Sequence, residues 1–262
     1  WCLNDRLPGH ADMEERYASW LAPKEHERWQ RFRFAADRDR YLLARALVRG
    51  TLSRYRPNTS QAQWVFDVNP QGRPTITPQL QGEGAALHFN LSHTKGLIVM
   101  GVSTSSQLGV DTEPVDRAGN HLSIAEHFFA ASEARVLRKL PDRSAQQRRF
   151  FELWTLKEAY IKARGLGLAL PLGSFAFSFP GSDGLAFRTW PEAGDSAVGW
   201  GFVLMTYGET HRVSLALREG PAPSPVTVRA AEVVAGEWLE VAAPLQVDRC
   251  TLPQAKILPL KP

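Results

Sequence analysis

The chain has 262 residues, of which 44% are hydrophobic, 10% aromatic and 22% charged. That balance is too apolar for a disordered chain and too interrupted by charge for a membrane protein, and no apolar run approaches the roughly 18 residues that a spanning helix needs. Lys and Arg total 31 against 27 acidic residues, a net charge of +4 carried mostly by arginine; this suits phosphate-bearing or acidic partners and is equally compatible with a plain solvated surface.

Residues from about Lys24 to Arg33 read as a short charged helix. A stronger helix follows Asp37, taken as its N-cap, with Leu42, Leu43, Ala46 and Leu47 as an apolar stripe and Arg56-Pro57 as its end. Strand-like runs come next at Trp64–Val68, Leu87–Leu91, Leu97–Val102 and Leu108–Asp111, separated by turn signals at Asn69-Pro70-Gln71-Gly72 and Thr94-Lys95-Gly96. The second half loosely repeats that order. Helical stretches cover Ser123–Phe129, Ser132–Leu140 and Ala145–Gly165, and strand-like runs follow at Ser174–Phe179, Leu185–Trp190, Gly199–Tyr207 and Arg212–Leu217. Helices and then a strand meander, twice, suggest two similar α+β halves, 1–105 and 106–220. Beyond the Pro-rich run at 221–225, residues 221–262 read as a loosely attached extension. The first twenty residues lack the apolar core of a secretory signal. Cys2 and Cys250 stand at opposite ends, so the expectation is a cytoplasmic protein without a disulfide framework.

Three segments carry candidate chemistry. In Gly109-Val110-Asp111-Thr112-Glu113 the strand period of two puts Asp111 and Glu113 on one face, about 7 Å apart. They are either solvated acids at a strand end or hard ligands for Mg²⁺ or Mn²⁺. In Phe151–Lys162, Glu158 and Lys162 are four apart on one helical face, as an ordinary ion pair or as a third metal carboxylate beside a phosphate grip; Gly165 and Gly167 end the helix. In Asn90-Leu91-Ser92-His93, Ser92 and His93 alternate faces, so they form no nucleophile–base pair, but both can donate to phosphate oxygens. Arg73, in the turn Gly72-Arg73-Pro74, is similarly open.

Together these pieces resemble one family. Gly-Val-Asp-x-Glu followed by Trp-Thr-Leu-Lys-Glu-Ala-Tyr-Ile-Lys, with 47 residues from Asp111 to Glu158, is similar to the two-part signature of the 4′-phosphopantetheinyl transferases. The Gly-Arg-Pro and Asn-Leu-Ser-His segments match the long, surfactin-synthetase type, and the resemblance runs from about Pro23 to about Leu217. It implies that the two α+β halves form a pseudodimer with the site in the cleft between them. It implies transfer of phosphopantetheine from coenzyme A to a serine of acyl, peptidyl or aryl carrier domains by a monomer, with no nucleic acid and no membrane involved. It also implies a metal site at Asp111, Glu113 and Glu158, pyrophosphate contacts from Lys162, Ser92 and His93, and Arg73 close to the adenosine. By spacing, Arg28, Arg31 and Arg40 fall on the 3′-phosphate side, and Tyr41 stands where some relatives carry a small hydroxyl residue. Glu133, or Glu158 acting through a water, is the implied base. A metal-dependent phosphodiesterase or nuclease and a non-catalytic coenzyme A or carrier-protein binder are the rivals. The first would show a basic stripe interleaved with aromatics, and the second needs no complete metal site.

Overall fold

The computed structural model describes residues 1–5, 10–70, 72–82, 85–218, 227–234, 239–241, 243–251 and 257–259. The first half runs β1 (Cys2–Leu3), α1 (His10–Ala18), α2 (Pro23–Gln30), α3 (Ala35–Tyr55), β2 (Phe66–Val68), β3 (Pro74–Ile76), β4 (His88–Thr94) and β5 (Leu97–Ser103). The second runs β6 (Leu108–Pro114), α4 (His121–Phe128), α5 (Ala131–Arg138), α6 (Arg143–Arg164), β7 (Phe175–Ser178), β8 (Ala186–Thr189), β9 (Trp200–Tyr207) and β10 (His211–Arg218). Each half therefore lays down a strand, three helices, a small hairpin and a large hairpin. The pairing repeats as well: β1-β5-β4 in one sheet corresponds to β6-β10-β9 in the other.

Alternation along the strands explains how the halves join. Ile98 and Met100 of β5 pack under α3 with Leu42, Leu43 and Leu47, while Leu97 and Val99 point the other way. Phe202 and Leu204 of β9 pack under α6, while Val203 and Met205 point away from it. The outward-pointing sets meet in a third core, so the two sheets lie back to back with a long helix on each outer face. Edge strands β4 and β6 come together there. The Asn90 side-chain oxygen accepts the Val110 N–H at 2.9 Å, so a β4 side chain satisfies a β6 backbone group across the join.

Two expectations change. The N-cap of α3 is Phe34 rather than Asp37, and Asp37 sits in the first turn, paired with Arg40. The described residues beyond 226, read as part of a loosely attached extension, include strands that pair with the two sheets. β12 (Glu232–Val234) pairs with β1 in parallel and with β13 (Leu239–Val241), and β14 (Leu245–Cys250) pairs with β9. These strands cover edges that β1 and β9 would otherwise leave open. Short strands β11 (Val228–Ala230) and β15 (Ile257–Pro259) pair with each other. The Pro-rich run itself lies outside the described residues. Cys2 and Cys250 are not joined in a disulfide, and among the described residues no helix is long and apolar enough to cross a membrane.

Candidate active site

The Gly-Val-Asp segment is where α6 crosses β6. A Cβ on Gly109 would lie 1.9 Å from the Ala159 carbonyl oxygen and 2.6 Å from the Ala163 nitrogen, so only glycine lets helix and strand approach this closely. Gly109, Asp111 and Glu113 share that face of β6, and the contact at Gly109 turns it toward α6. The helix then ends at Gly165, in the left-handed region at φ 66°, with its N–H on the Ile161 and Lys162 carbonyls.

Above Asp111 the helix delivers Lys162. Lys162 Nζ donates to Asp111 Oδ1 at 2.7 Å and to Ser92 Oγ at 2.9 Å, and Ser92 Oγ donates to the same Asp111 oxygen at 2.9 Å. Strand β4, strand β6 and helix α6 therefore meet at one carboxylate oxygen. The other, Asp111 Oδ2, is buried without a partner. Glu113 is held by Arg117 at 3.1 Å. Burial, together with the Asp111 charge, pushes the Glu113 carboxyl up, and Arg117 opposes this. Burial and the charges of Asp111 and Glu113 push Glu158 up to about 7, against the pull of Lys162. Three carboxylates thus sense one another, although among the described residues no three potential ligands are drawn together tightly enough to hold a metal ion.

Beside this cluster a cleft of about 380 Å³ opens between the halves, walled by Arg45, Arg73, His93, Glu158, Lys162 and Gly165. That is the size of a small-ligand site. Burial lowers the pKa of His93, helped by Arg40, Lys162 and Arg45, so its ring favours the neutral form. Arg28, Arg31 and Arg40 do not wall this cleft. Arg28 lies 5.6 Å over the Tyr41 ring, Arg31 pairs loosely with Glu27 at 3.9 Å, and Arg40 is held by Asp5 at 2.9 Å. Sequence reasoning missed Arg45, which lies 5.4 Å from the centre of the Tyr41 ring and pairs with Glu25. Tyr41, Arg45 and Arg49 recur every four residues along α3, a polar stripe that could have revealed it.

Glu133 is not part of the cluster. It is buried at the start of α5, where Oε2 accepts the Ala130 N–H and meets Lys157 Nζ at 2.8 Å, while Oε1 accepts the Phe177 N–H. Lys157 in turn donates to the Leu172 and Phe175 carbonyls. Burial raises the pKa of Glu133 and lowers that of Lys157, and each holds its partner charged. The structure thus places Glu133, expected as a base, in a buried ion pair apart from the acidic cluster.

Comparison with known proteins converges on the same reading. The signature of the 4′-phosphopantetheinyl transferase superfamily matches residues 107–214, and that of the N-terminal region of 4′-phosphopantetheinyl transferases matches residues 8–105. The chain is 36% identical over 171 residues to the 4′-phosphopantetheinyl transferase Sfp of Bacillus subtilis, covering 64% of this chain and 71% of Sfp. It is 36% identical over 152 residues to 4′-phosphopantetheinyl transferase HetI of Nostoc sp., covering 58% of this chain and 62% of HetI, a little under two thirds of that relative. It is 28% identical over 244 residues to a phosphopantetheinyl transferase of Thraustochytrium sp., covering 88% of this chain and 82% of that one. By its motifs, its paired halves and these likenesses, the chain belongs to the 4′-phosphopantetheinyl transferase family, in its Sfp-type branch.

Proposed function

We propose that this chain moves the 4′-phosphopantetheine of coenzyme A onto a serine hydroxyl of an acyl, peptidyl or aryl carrier domain, releasing 3′,5′-ADP. The observation that carries this reading is the meeting of Lys162, Ser92 and Asp111 across the boundary between halves, with Glu158 one turn away on α6 and a ligand-sized cleft alongside. We take 1–105 and 106–220 as those halves. One chain supplies both walls, so a monomer suffices, working in the cytoplasm. The family rules out the nuclease reading.

The donor set suits a hard divalent cation. Asp111 Oδ2 is buried and uncommitted, and Glu113 and Glu158 are carboxylates pushed up by burial and mutual repulsion, which a cation would relieve. Asp111, Glu113 and Glu158 are the residues assigned to hold Mg²⁺, with Mn²⁺ as a substitute. When bound, the ion offsets the charge of the pyrophosphate and of the departing oxygen.

The chain's own residues do the rest. Lys162 Nζ and Ser92 Oγ turn from Asp111 to the pyrophosphate oxygens, where charge builds as the bond to 3′,5′-ADP breaks. His93 joins them as a neutral donor. The carrier serine oxygen attacks the β-phosphorus, the bridging P–O bond breaks, and its electron pair leaves on 3′,5′-ADP. With Glu133 paired to Lys157, the serine proton passes by way of a water toward Glu158.

The test is mass spectrometry of an apo carrier protein incubated with this protein, coenzyme A and Mg²⁺. The expected result is a gain of one phosphopantetheine per carrier serine, with 3′,5′-ADP in equal amount, abolished by a chelator. An unmodified carrier across acyl, peptidyl and aryl types would sink the reading.

A further inference from the structure

We infer that Arg73 is a positioning residue that holds Lys162 against Asp111 from the opposite half of the molecule, and is not a ligand for the adenosine of the donor. Arg73 leaves the turn between β2 and β3 beside Gly72, which sits in the left-handed region at φ 85°. Asn69 clamps that turn: its Oδ1 accepts the Arg73 N–H at 2.8 Å and its own N–H donates to the Arg73 carbonyl at 3.0 Å. The guanidinium is thereby fed into the seam between the end of α6 and the start of β6.

Its donors are almost fully committed there. Nη1 donates to the Lys162 carbonyl at 2.8 Å and to the Ala163 carbonyl at 3.4 Å. Nη2 donates to the Leu108 carbonyl at 3.0 Å and to the Phe89 carbonyl at 3.5 Å. These acceptors belong to the three elements that meet at the cluster. Lys162 itself is on α6, Leu108 is three residues before Asp111 on β6, and Phe89 is three before Ser92 on β4. One planar group thus fixes the backbone of the residue whose side chain reaches Asp111, relative to both strands that receive it. The choice of acceptors has a physical reason. Last-turn carbonyls of a helix carry partial negative charge and have at most a capping N–H as partner, as Lys162 has in Gly165, so a cation there is stabilising. A guanidinium fork can serve carbonyls on two sides at once, which a single ammonium cannot. Only Nε is left, buried without a partner, and one interior N–H offers little to a nucleoside.

The inference rests on the proposed role of Lys162, and two measurements separate its failure from a failure of that role. The first needs no turnover. In Arg73→Gln and Arg73→Lys, hydrogen exchange of the Gly165 amide, which caps α6 on Ile161 and Lys162, should quicken by about tenfold, the equivalent of one lost hydrogen bond. Unchanged exchange would overturn the inference whatever the enzyme does. The second compares coenzyme A with a pantetheine diphosphate ester that lacks the nucleoside. As a positioning residue, Arg73 should lose about 10–100-fold in kcat on substitution, with KM for coenzyme A nearly unchanged and the same loss with the truncated donor. A rise in KM with kcat intact, vanishing with the truncated donor, would make Arg73 an adenosine ligand and overturn the inference. Circular dichroism on both variants identifies unfolding, and the milder Lys variant keeps the charge while losing the fork. If the wild-type protein modifies no carrier, the proposed function falls and the exchange result alone decides the role of Arg73.

Discussion

Lys162 Nζ rests 2.7 Å from Asp111 Oδ1, so a buried carboxylate at the start of the second half is neutralised from the last turn of the helix that crosses it. Asp111 is one residue of β6 and Lys162 one of α6, 51 positions apart, and Ser92 of the other half completes the contact. Two of the three ammonium N–H groups are spent there, on Asp111 and Ser92, which leaves one to donate elsewhere.

Lys162→Ala should therefore lower single-turnover transfer by about 10²–10³, comparable to removing one preorganised transition-state donor. Lys162→Arg keeps charge but not the compact shape, and should recover part of the rate. The measurement is transfer to an apo carrier at saturating coenzyme A, with thermal unfolding followed in parallel. A surface ion pair would instead cost only a few tenths of a kcal/mol and nothing in rate.

Asp111→Asn keeps the shape and an acceptor for Ser92 but removes the charge. Transfer should fall by about 10² or more at saturating Mg²⁺, and Mn²⁺ binding followed by electron paramagnetic resonance should weaken in the same variant. Normal Mn²⁺ binding would move the metal away from this strand.

Glu133 and Lys157 give the opposite pattern. Glu133→Ala leaves the buried Lys157 charge uncompensated and should cost about 3–5 kcal/mol of stability. Replacing both with apolar residues of similar volume, Glu133→Leu with Lys157→Met, should restore most of that stability. Chemical denaturation of the three proteins checks the cycle. Transfer by the double variant close to wild type would confirm that neither residue touches the reaction.

The Glu158 carboxyl gives the metal-free protein a pH dependence of known sign. Its pKa is raised from 4.5 to about 7, so the folded state binds the proton more tightly than the unfolded chain does. Stability is fully present below about pH 4.5 and is lost as the pH climbs through about 7. Solvent reaching the half-open cleft damps the effect, and a fall in Tm of roughly 3–6 °C between pH 5 and 8 is expected. Glu158→Gln should flatten that slope, and saturating Mg²⁺ should oppose it in the wild type. An identical slope in Glu158→Gln would place the titrating group elsewhere.

How much of this could be read from the chain alone depends on the kind of information each feature needs. Alternation along β6 and the four-residue spacing on α6 are local, so the shared face of Asp111 and Glu113 and the placing of Glu158 and Lys162 one turn apart were legible in the sequence, whereas the ion partner of Lys162, Asp111, was not. The order of helices and hairpins was legible for the same reason in the second half; in the first, β1, α1 and β3 were not, because β1 and β3 are two or three residues long and α1 is mostly polar. The tail was not: β12 and β14 are short, follow a Pro-rich run, and take their meaning from edges offered by β1 and β9 far away in the chain.

Glu133 and Arg73 mark the limit most clearly. Both carry charge at positions that the family resemblance ties to chemistry, and both turn their polar atoms inward. Glu133 finds the ammonium of Lys157 and two backbone N–H groups; Arg73 finds four backbone carbonyls. The sequence by itself determined the two-half architecture, the face that bears the acids and the helix that bears the lysine, because those follow from side-chain periodicity. Only the tertiary structure decided which charged residues keep their polar atoms for the cleft and which spend them on buried partners. Backbone donors and acceptors are alike at every position, so what a buried charge will meet leaves no mark in the order of side chains.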